Sequence, residues 1–264
     1  MAQIDNGAPG SPLKGAVLFP EQTHPLSALA GAWNSLQLDR TEDGGPIVLT
    51  NSTGTVDAAG KLTALTFCEN GADGFVCDSS TSTATGLPGI VGTVNSDGGF
   101  NWANAADGWT DRVFLYKSGG GELLRVQLSS AGGHLGLATR QVAGTLPAVG
   151  RVTEFMSITQ NNNYTASGFS DSKHTVRTVD ATANSFLRDA VVFQNGVATS
   201  VTQPETFRLG NPRDGFSLRV GETVTASDGS SRTVTPFIAM ALRGTGITVV
   251  GFPGTNSLAL SVAK

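Results

Sequence analysis

The sequence predicts an all-β fold with very little helix, built from two related β-rich halves. Charged residues make up 14% of the 264 residues and Gly supplies 34 of them, whereas an average soluble domain is about 25% charged. Because Gly and β-branched residues disfavour helices, this composition is typical of β-sheet with many turns. Short apolar runs between turn residues and a partial internal repeat are the other two observations. Together they favour an antiparallel barrel or sandwich.

Eleven short segments have the alternating or apolar pattern of strands. Turn pairs such as Asp43-Gly44 and Asn195-Gly196 separate them. A weak helical pattern covers only residues 24–32. The predicted strands are Trp33–Leu38, Leu62–Phe67, Arg112–Tyr116, Leu123–Leu128, Val152–Thr159, Thr175–Val179, Ala190–Phe193, Phe216–Val220, Thr235–Leu242, Ile247–Phe252 and Ser257–Val262.

The internal repeat begins with the tetrapeptide TVDA, which occurs at 55–58 and again 123 positions later at 178–181. Four shared residues are weak evidence alone, but other apolar positions agree at the same offset. Phe114 maps to Phe237, and Trp33 maps to Met156. The repeat predicts a flexible leader at 1–19, a first half at 20–143 and a second half at 144–264. The alternative is a single sandwich whose strands share composition.

The repeat also contains a gap. Phe100 and Phe216 follow similar Asp-Gly turns but lie 116 positions apart, so we expect one half to carry about seven extra residues. We place them in the first half at 101–110, NWANAADGWT, which contains two of the three Trp residues. That segment is therefore a candidate functional loop.

Charge and hydropathy exclude two classes of partner. A net charge of −4 supplies no broad basic face for nucleic acid. No apolar run approaches the roughly 20 residues that a membrane-spanning helix needs, so we expect no membrane-spanning segment. The N-terminus is not a signal peptide as written. The leader would suit a surface protein whose N-terminal lipid anchor is missing from this chain, and an ordinary disordered terminus is the alternative.

The two cysteines, Cys68 and Cys77, flank the turn pairs Asn70-Gly71 and Asp73-Gly74. A hairpin there would bring the two sulfur atoms together, which predicts a disulfide bond. Two separate thiols, or half of a metal site, are the alternatives. A disulfide indicates an oxidising compartment, so we expect a periplasmic, cell-surface or secreted protein.

The candidate ligand-binding residues are Trp33, Trp102 and Trp109, with Arg112 and Tyr116 on the strand that follows. Trp presents a large flat surface with one N–H donor, which suits an apolar or sugar-like ligand. The alternative is that the Trp residues plug one end of a barrel. The segment Gly31-Ala32-Trp33 resembles the Gly-x-Trp start of lipocalin-like barrels, which implies a Trp that closes the barrel base.

No sequence motif points to catalysis, a cofactor or a metal. The three His residues lack metal-ligand spacing, and no nucleophile elbow or phosphate-binding loop is present. We therefore predict a non-enzymatic binding protein for a small apolar or carbohydrate ligand. A structural or adhesive surface protein with a protein partner is one alternative, and a hydrolase that uses a pair of carboxylates is another.

Overall fold

The computed structural model describes residues 2–5, 14–17, 19–20, 22–40, 47–71, 74–77, 90–96, 98–104, 109–129, 134–160, 166–194, 197–198 and 201–264. Within these ranges the chain is almost entirely β, which confirms the predicted fold class. The helical segments described are two short 3₁₀ helices, Leu26–Leu29 and Pro253–Thr255. The described strands are β1 (Ala2–Asp5), β2 (Lys14–Val17), β3 (Gly31–Arg40), β4 (Ile47–Val56), β5 (Leu62–Gly71), β6 (Gly74–Cys77), β7 (Ile90–Val94), β8 (Phe100–Asn104), β9 (Trp109–Lys117), β10 (Leu123–Ser129), β11 (His134–Arg140), β12 (Val152–Gln160), β13 (Ala166–Asp180), β14 (Ser185–Gln194), β15 (Val197–Ala198), β16 (Gln203–Leu209), β17 (Phe216–Arg219), β18 (Glu222–Thr225), β19 (Ser231–Val234), β20 (Phe237–Leu242), β21 (Ile247–Phe252) and β22 (Ser257–Ala263).

Two antiparallel sheets, each of nine described strands, make up most of the structure. The first has the order β6-β5-β4-β3-β11-β10-β9-β8-β7, and the second has the order β13-β12-β22-β21-β20-β17-β16-β14-β15. In the second sheet β13 also pairs with β14, so eight of its described strands close into a barrel. No pairing among the described residues joins β5 to β7, so the first sheet is a half-barrel.

The two sheets repeat one strand order. Strands β3, β4 and β5 occupy the places of β12, β13 and β14, and β8 to β11 occupy those of β17, β20, β21 and β22. The offset of 123 residues maps both ends of β5 onto those of β14, and both ends of β11 onto those of β22. The half-barrel and the closed barrel are therefore two copies of one topology, as the sequence repeat predicts.

Both TVDA segments end a strand and begin a turn. Oδ1 of Asp57 accepts hydrogen bonds from two backbone N–H groups of the following turn, each at 2.9 Å. Oδ1 of Asp180 does the same in the second half, also at 2.9 Å. An Asp side chain that accepts backbone bonds in this way stabilises a tight turn. The repeated tetrapeptide thus marks the same turn in both copies.

The prediction that the extra residues lie at 101–110 of the first half is wrong. Phe100 and Phe114 are 14 positions apart, whereas Phe216 and Phe237 are 21 apart. The seven additional residues therefore belong to the second half, where the hairpin β18–β19 lies between β17 and β20. The first half is longer at an earlier point, between β5 and β8.

The outer face of the barrel packs against one face of the first sheet. Side chains of both sheets form a shared core in which every member is at most 7% exposed. Its members are Leu36, Leu38, Leu49, Leu124 and Leu137 from the first sheet and Phe216, Ile238, Met240, Leu242, Ile247, Val249 and Leu258 from the barrel. This apolar contact fixes the barrel against the half-barrel.

The predicted leader and helix differ in detail from the structure. Within 1–19, the described residues 2–5 and 14–17 pair as the short hairpin β1–β2. The helical pattern at 24–32 corresponds to the four-residue 3₁₀ helix Leu26–Leu29. It ends because Gly31, with φ of +122°, turns the chain into β3.

Candidate ligand-binding site

The lumen of the closed barrel contains a cavity of about 430 Å³. Eight-stranded barrels are wide enough to hold one small ligand, and ligand cavities commonly span about 300–1,000 Å³. Alternate residues of each strand point into it, as the pleat of a strand requires. On β14 and β16 these are Phe186, Arg188, Ala190, Val192, Glu205, Phe207 and Leu209.

An ion-pair network lies on the cavity wall. Strand register places Arg188 directly opposite Glu205. Oε2 of Glu205 accepts a hydrogen bond of 2.9 Å from Nε of Arg188 and forms an ion pair with Nη2 of the same residue at 2.8 Å. Its Oε1 accepts one from Nη1 of Arg219, whose Nε donates to the Thr235 carbonyl oxygen at 2.8 Å. One carboxylate thus holds two guanidinium groups in place.

The network carries a net positive charge at neutral pH. Burial alone would raise the pKa of Glu205, but the charges of Arg188 and Arg219 outweigh it and hold that pKa below its ordinary value. Burial also lowers the pKa of both arginines, which nevertheless stay protonated at pH 7. Two guanidinium groups and one carboxylate leave a charge of +1.

His174 is a neutral member of the same wall. Burial lowers its pKa to about 3, and the positive charge of Arg188 adds to the effect. Its Nδ1 lies 3.8 Å from Oε2 of Glu205, but because the ring is uncharged at pH 7 this contact is not an ion pair. Nε2 shares a hydrogen bond of 2.8 Å with the Ser172 hydroxyl.

Phenylalanine rings surround the charged groups. Cζ of Arg188 lies 4.2 Å from the ring centroid of Phe207, and Cζ of Arg219 lies 4.0 Å from that of Phe237. Register explains the second stack, since Arg219 is directly opposite Phe237. Phe186 stacks on Phe207 with centroids 5.1 Å apart. Cation–π contacts of this kind stabilise partly desolvated guanidinium groups.

Each guanidinium retains one terminal nitrogen with neither a hydrogen-bond nor an ion-pair partner among the described residues: Nη1 of Arg188 and Nη2 of Arg219. Nδ1 of His174 is likewise buried without a hydrogen-bond partner within the described ranges. All three residues line the cavity. The wall therefore presents polar groups that a ligand can use.

The structure places Trp33 and Trp102 in a packed core on the other face of the first sheet. Trp33 is 0% and Trp102 3% exposed. Nε1 of Trp33 donates to the Leu29 carbonyl oxygen at 2.7 Å, and the Arg140 guanidinium lies 4.0 Å from its ring centroid. Trp33 thus lies beneath the first 3₁₀ helix, in the core of the half-barrel. Arg125, whose pKa burial lowers to about 10, lies within 5.4 Å of both Trp ring centroids.

The sheet separates these two Trp residues from Arg112 and Tyr116. Asp111 lies directly opposite Trp102 and shares its face, so the next residue, Arg112, points to the other face. There Arg112 lies 5.6 Å from the Phe114 ring centroid, and Tyr116 packs 4.9 Å from that of Phe19. Trp109 lies in β9, and its side chain is outside the described ones. Ligand binding by these five residues stays a prediction.

The predicted hairpin between the cysteines is present, with β5 and β6 paired so that Cys68 is directly opposite Cys77. Opposite residues of antiparallel strands have Cα atoms about 4.5–5.5 Å apart, a separation that a disulfide can span. Cys68 is buried, whereas the side chain of Cys77 is outside the described ones. The disulfide bond stays a prediction.

Two features are absent from the part of the chain that the structure describes. Within them no group of three or more His, Cys, Asp or Glu is placed to hold a metal ion. No helix there is long and apolar enough to cross a membrane.

Sequence reasoning missed Arg188, Glu205 and Arg219 as site residues. One sequence pattern could have indicated them. A charged residue lies two positions from an aromatic residue, and therefore on the same face of a strand, in Phe186 and Arg188 and in Glu205 and Phe207. Alternation alone does not say which face of a strand is inside. From the sequence alone these charged residues are therefore interpreted as solvated surface residues, and only the closed barrel shows that they face its lumen.

Comparison with known proteins gives no family for this chain. No family model matches it. No curated protein matches it either. It is similar to the crystal structure of a protein of unknown function of the DUF3598 family from Nostoc punctiforme PCC 73102, at 10% identity over 92% of this chain and 99% of that chain, with a TM-score of 0.28. A likeness at that score carries no argument about function.

The buried neutral His174 predicts a loss of stability in mild acid. Its pKa is about 3 in the folded protein and about 6.5 in the unfolded chain, so below pH 6.5 only the unfolded chain gains a proton. The free energy of unfolding should fall by about 2 kcal/mol between pH 7 and pH 5 through this group. Denaturant unfolding of the wild type and of His174→Gln measures it.

The difference in the free energy of unfolding between the wild type and His174→Gln should change with pH only below about pH 7. Between pH 7 and pH 8 it should stay constant, since His174 is neutral in both states there. Equal pH dependence of the two proteins from pH 7 to pH 5 would contradict a buried, neutral His174.

Proposed function

We propose that the protein binds one small ligand with an apolar body inside the closed barrel of the second half. The observation that carries the proposal is the cavity of about 430 Å³, lined by Phe rings around a hydrogen-bonded charged network. Ligand sites generally combine a mostly apolar wall with a few well-placed polar groups. The proposal keeps the function expected from the sequence and moves its site to the other half.

The cavity wall favours binding over the two alternatives. An adhesive or spacer protein predicts no internal cavity. A carboxylate-based hydrolase needs two acidic groups in one cleft, whereas Glu205 is the acidic residue among those that line the lumen within the described ranges. Both of its oxygens are held by arginines, which makes it a poor proton donor.

We also propose that the protein works at the cell surface, in the periplasm or outside the cell. The support is the facing position of Cys68 and Cys77 on adjacent strands, because a disulfide formed there would persist only in an oxidising compartment.

Titration with N-phenyl-1-naphthylamine, an uncharged apolar dye, tests the binding proposal. Its fluorescence should rise on entering the lumen and saturate at one dye per chain. Ala239 and Ala259 face the lumen and are 7% and 2% exposed, so Ala239→Phe or Ala259→Leu should fill part of the cavity and weaken binding at least tenfold. Thermal melts check that each variant folds.

Trp102→Phe is the matched control, since it alters the core of the first sheet and leaves the lumen intact. It should bind the dye as the wild type does. If Trp102→Phe loses dye binding while both lumen variants retain it, the site lies in the first half and the proposal is wrong.

A further inference from the structure

We infer that the barrel selects a ligand whose apolar body ends in a single carboxylate group. This inference rests on the proposed function, because it names the chemistry that the lumen recognises. Three observations carry it: the charge of the wall, its unused donors and the apolar surface around them.

The wall has an uncompensated positive charge. Among the described residues that line the cavity, Arg151, Arg188 and Arg219 are positive and Glu205 is negative. Arg151 is exposed at the end of the barrel, whereas Arg188, Arg219 and Glu205 have side chains only 15, 13 and 5% exposed. A net charge in such surroundings is unfavourable unless a counter-charge accompanies it. A monoanion bound in the lumen would neutralise the inner group.

The remaining donors are of the chemical kind that a carboxylate binds. Glu205 fixes both guanidinium groups through one oxygen each, which leaves Nη1 of Arg188 and Nη2 of Arg219 for a ligand. Guanidinium N–H groups are planar, directional donors that match carboxylate oxygens. Since Glu205 already orients both side chains, little conformational entropy is lost when an anion binds to them.

The rest of the wall suits an uncharged body. Phe155, Phe186, Phe207, Phe237 and Phe252 line the lumen together with Ala, Val, Ser and Thr side chains. A second negative charge on the ligand would lie near Glu205 without a positive group to neutralise it. A phosphate monoester would bring such a charge, because it carries about −1.5 to −2 at pH 7. A cationic head group would meet like charge. The wall therefore favours a carboxylate over a phosphate or an amine.

Four unbranched ten-carbon compounds with different head groups test the inference. We would titrate decanoate, decanol, decyl phosphate and decylamine into the protein at pH 7 by calorimetry. Decanoate should bind at least tenfold more tightly than each of the others, as expected when charge-assisted hydrogen bonds form in a buried site.

Arg219→Met supplies the matched variant. It removes the net charge of the inner group and keeps the ion pair between Arg188 and Glu205. Decanoate binding should weaken at least tenfold, with decanol binding changed less than twofold. The control is Arg177→Met, because Arg177 is 53% exposed and pairs with Asp189 on the outside of the barrel. It should leave both affinities unchanged.

The outcomes separate the inference from the proposed function. If decanol, decyl phosphate or decylamine binds as tightly as decanoate, or if a folded Arg219→Met protein keeps full decanoate affinity, the inference is wrong and the lumen still binds ligands. If Arg219→Met does not fold, the head-group ranking of the wild type decides alone. If none of the four ten-carbon compounds binds although the dye does, the inference fails. If the dye also fails, so does the proposed function.

Discussion

Glu205→Ala should lower the free energy of unfolding by roughly 3–5 kcal/mol, because it leaves two buried guanidinium groups without their common partner. The Glu205 side chain is 5% exposed and bonds to Arg188 and Arg219. Repulsion between the two arginines would add to the loss. Urea unfolding followed by circular dichroism measures the change in free energy.

Two further variants make this result specific to the buried network. Glu154 pairs with Lys173 at 3.7 Å, and both side chains are 45% exposed, so Glu154→Ala should cost less than about 1 kcal/mol. The triple variant Arg188→Met, Glu205→Leu, Arg219→Met should recover most of the lost stability, since an apolar set of similar volume replaces the whole network. Equal losses for Glu205→Ala and Glu154→Ala would show that the buried network is not formed.

Met240→Ala should destabilise both halves together by about 2–5 kcal/mol, the usual range for a large-to-small change in a core. Met240 is 0% exposed and lies in the core that the barrel shares with the first sheet. All three Trp residues belong to the first half, so their fluorescence reports its unfolding separately. Trp fluorescence and far-ultraviolet circular dichroism should give one coincident transition, shifted by the same amount.

Val152→Ala is the control for this experiment, because Val152 is 50% exposed and its truncation should change stability by less than about 0.5 kcal/mol. Circular dichroism that splits into two steps, with the Trp transition of Met240→Ala unmoved, would contradict a shared core. The two halves would then be independent domains.

Much of the fold was predictable because short apolar runs and the repeat offset can be identified directly in the sequence. Of the predicted strands, Ile247–Phe252 has the bounds of β21, and Ser257–Val262 lies within β22. The offset of 123 residues predicted two copies of one topology, which the strand order confirms. Strands with polar or mixed composition were missed, among them β4, whose IVLTNSTGTV contains four Thr or Ser residues. Their pairing depends on neighbours that are distant in sequence.

The candidate site was less predictable because aromatic residues are a poor guide to a cavity. Trp33 and Trp102 were predicted to bind a ligand because Trp is large and rare in this chain. In the structure they fill the core of the half-barrel. Arg188 and Glu205 look like surface residues in sequence, 17 positions apart. They meet only because β14 pairs with β16 in one register.

The sequence by itself determined the β class and the duplication, since composition and a repeat offset can both be obtained from the linear sequence without knowledge of contacts. Only the tertiary structure decided which copy closes into a barrel, because closure depends on the pairing of β14 with β16, and the equivalent strands β5 and β7 do not pair among the described residues. It also decided which face is inside. On β20, Met240 packs against the first sheet and Ala239 lines the lumen. Both faces are therefore apolar, and alternation gives no sign of where the cavity lies.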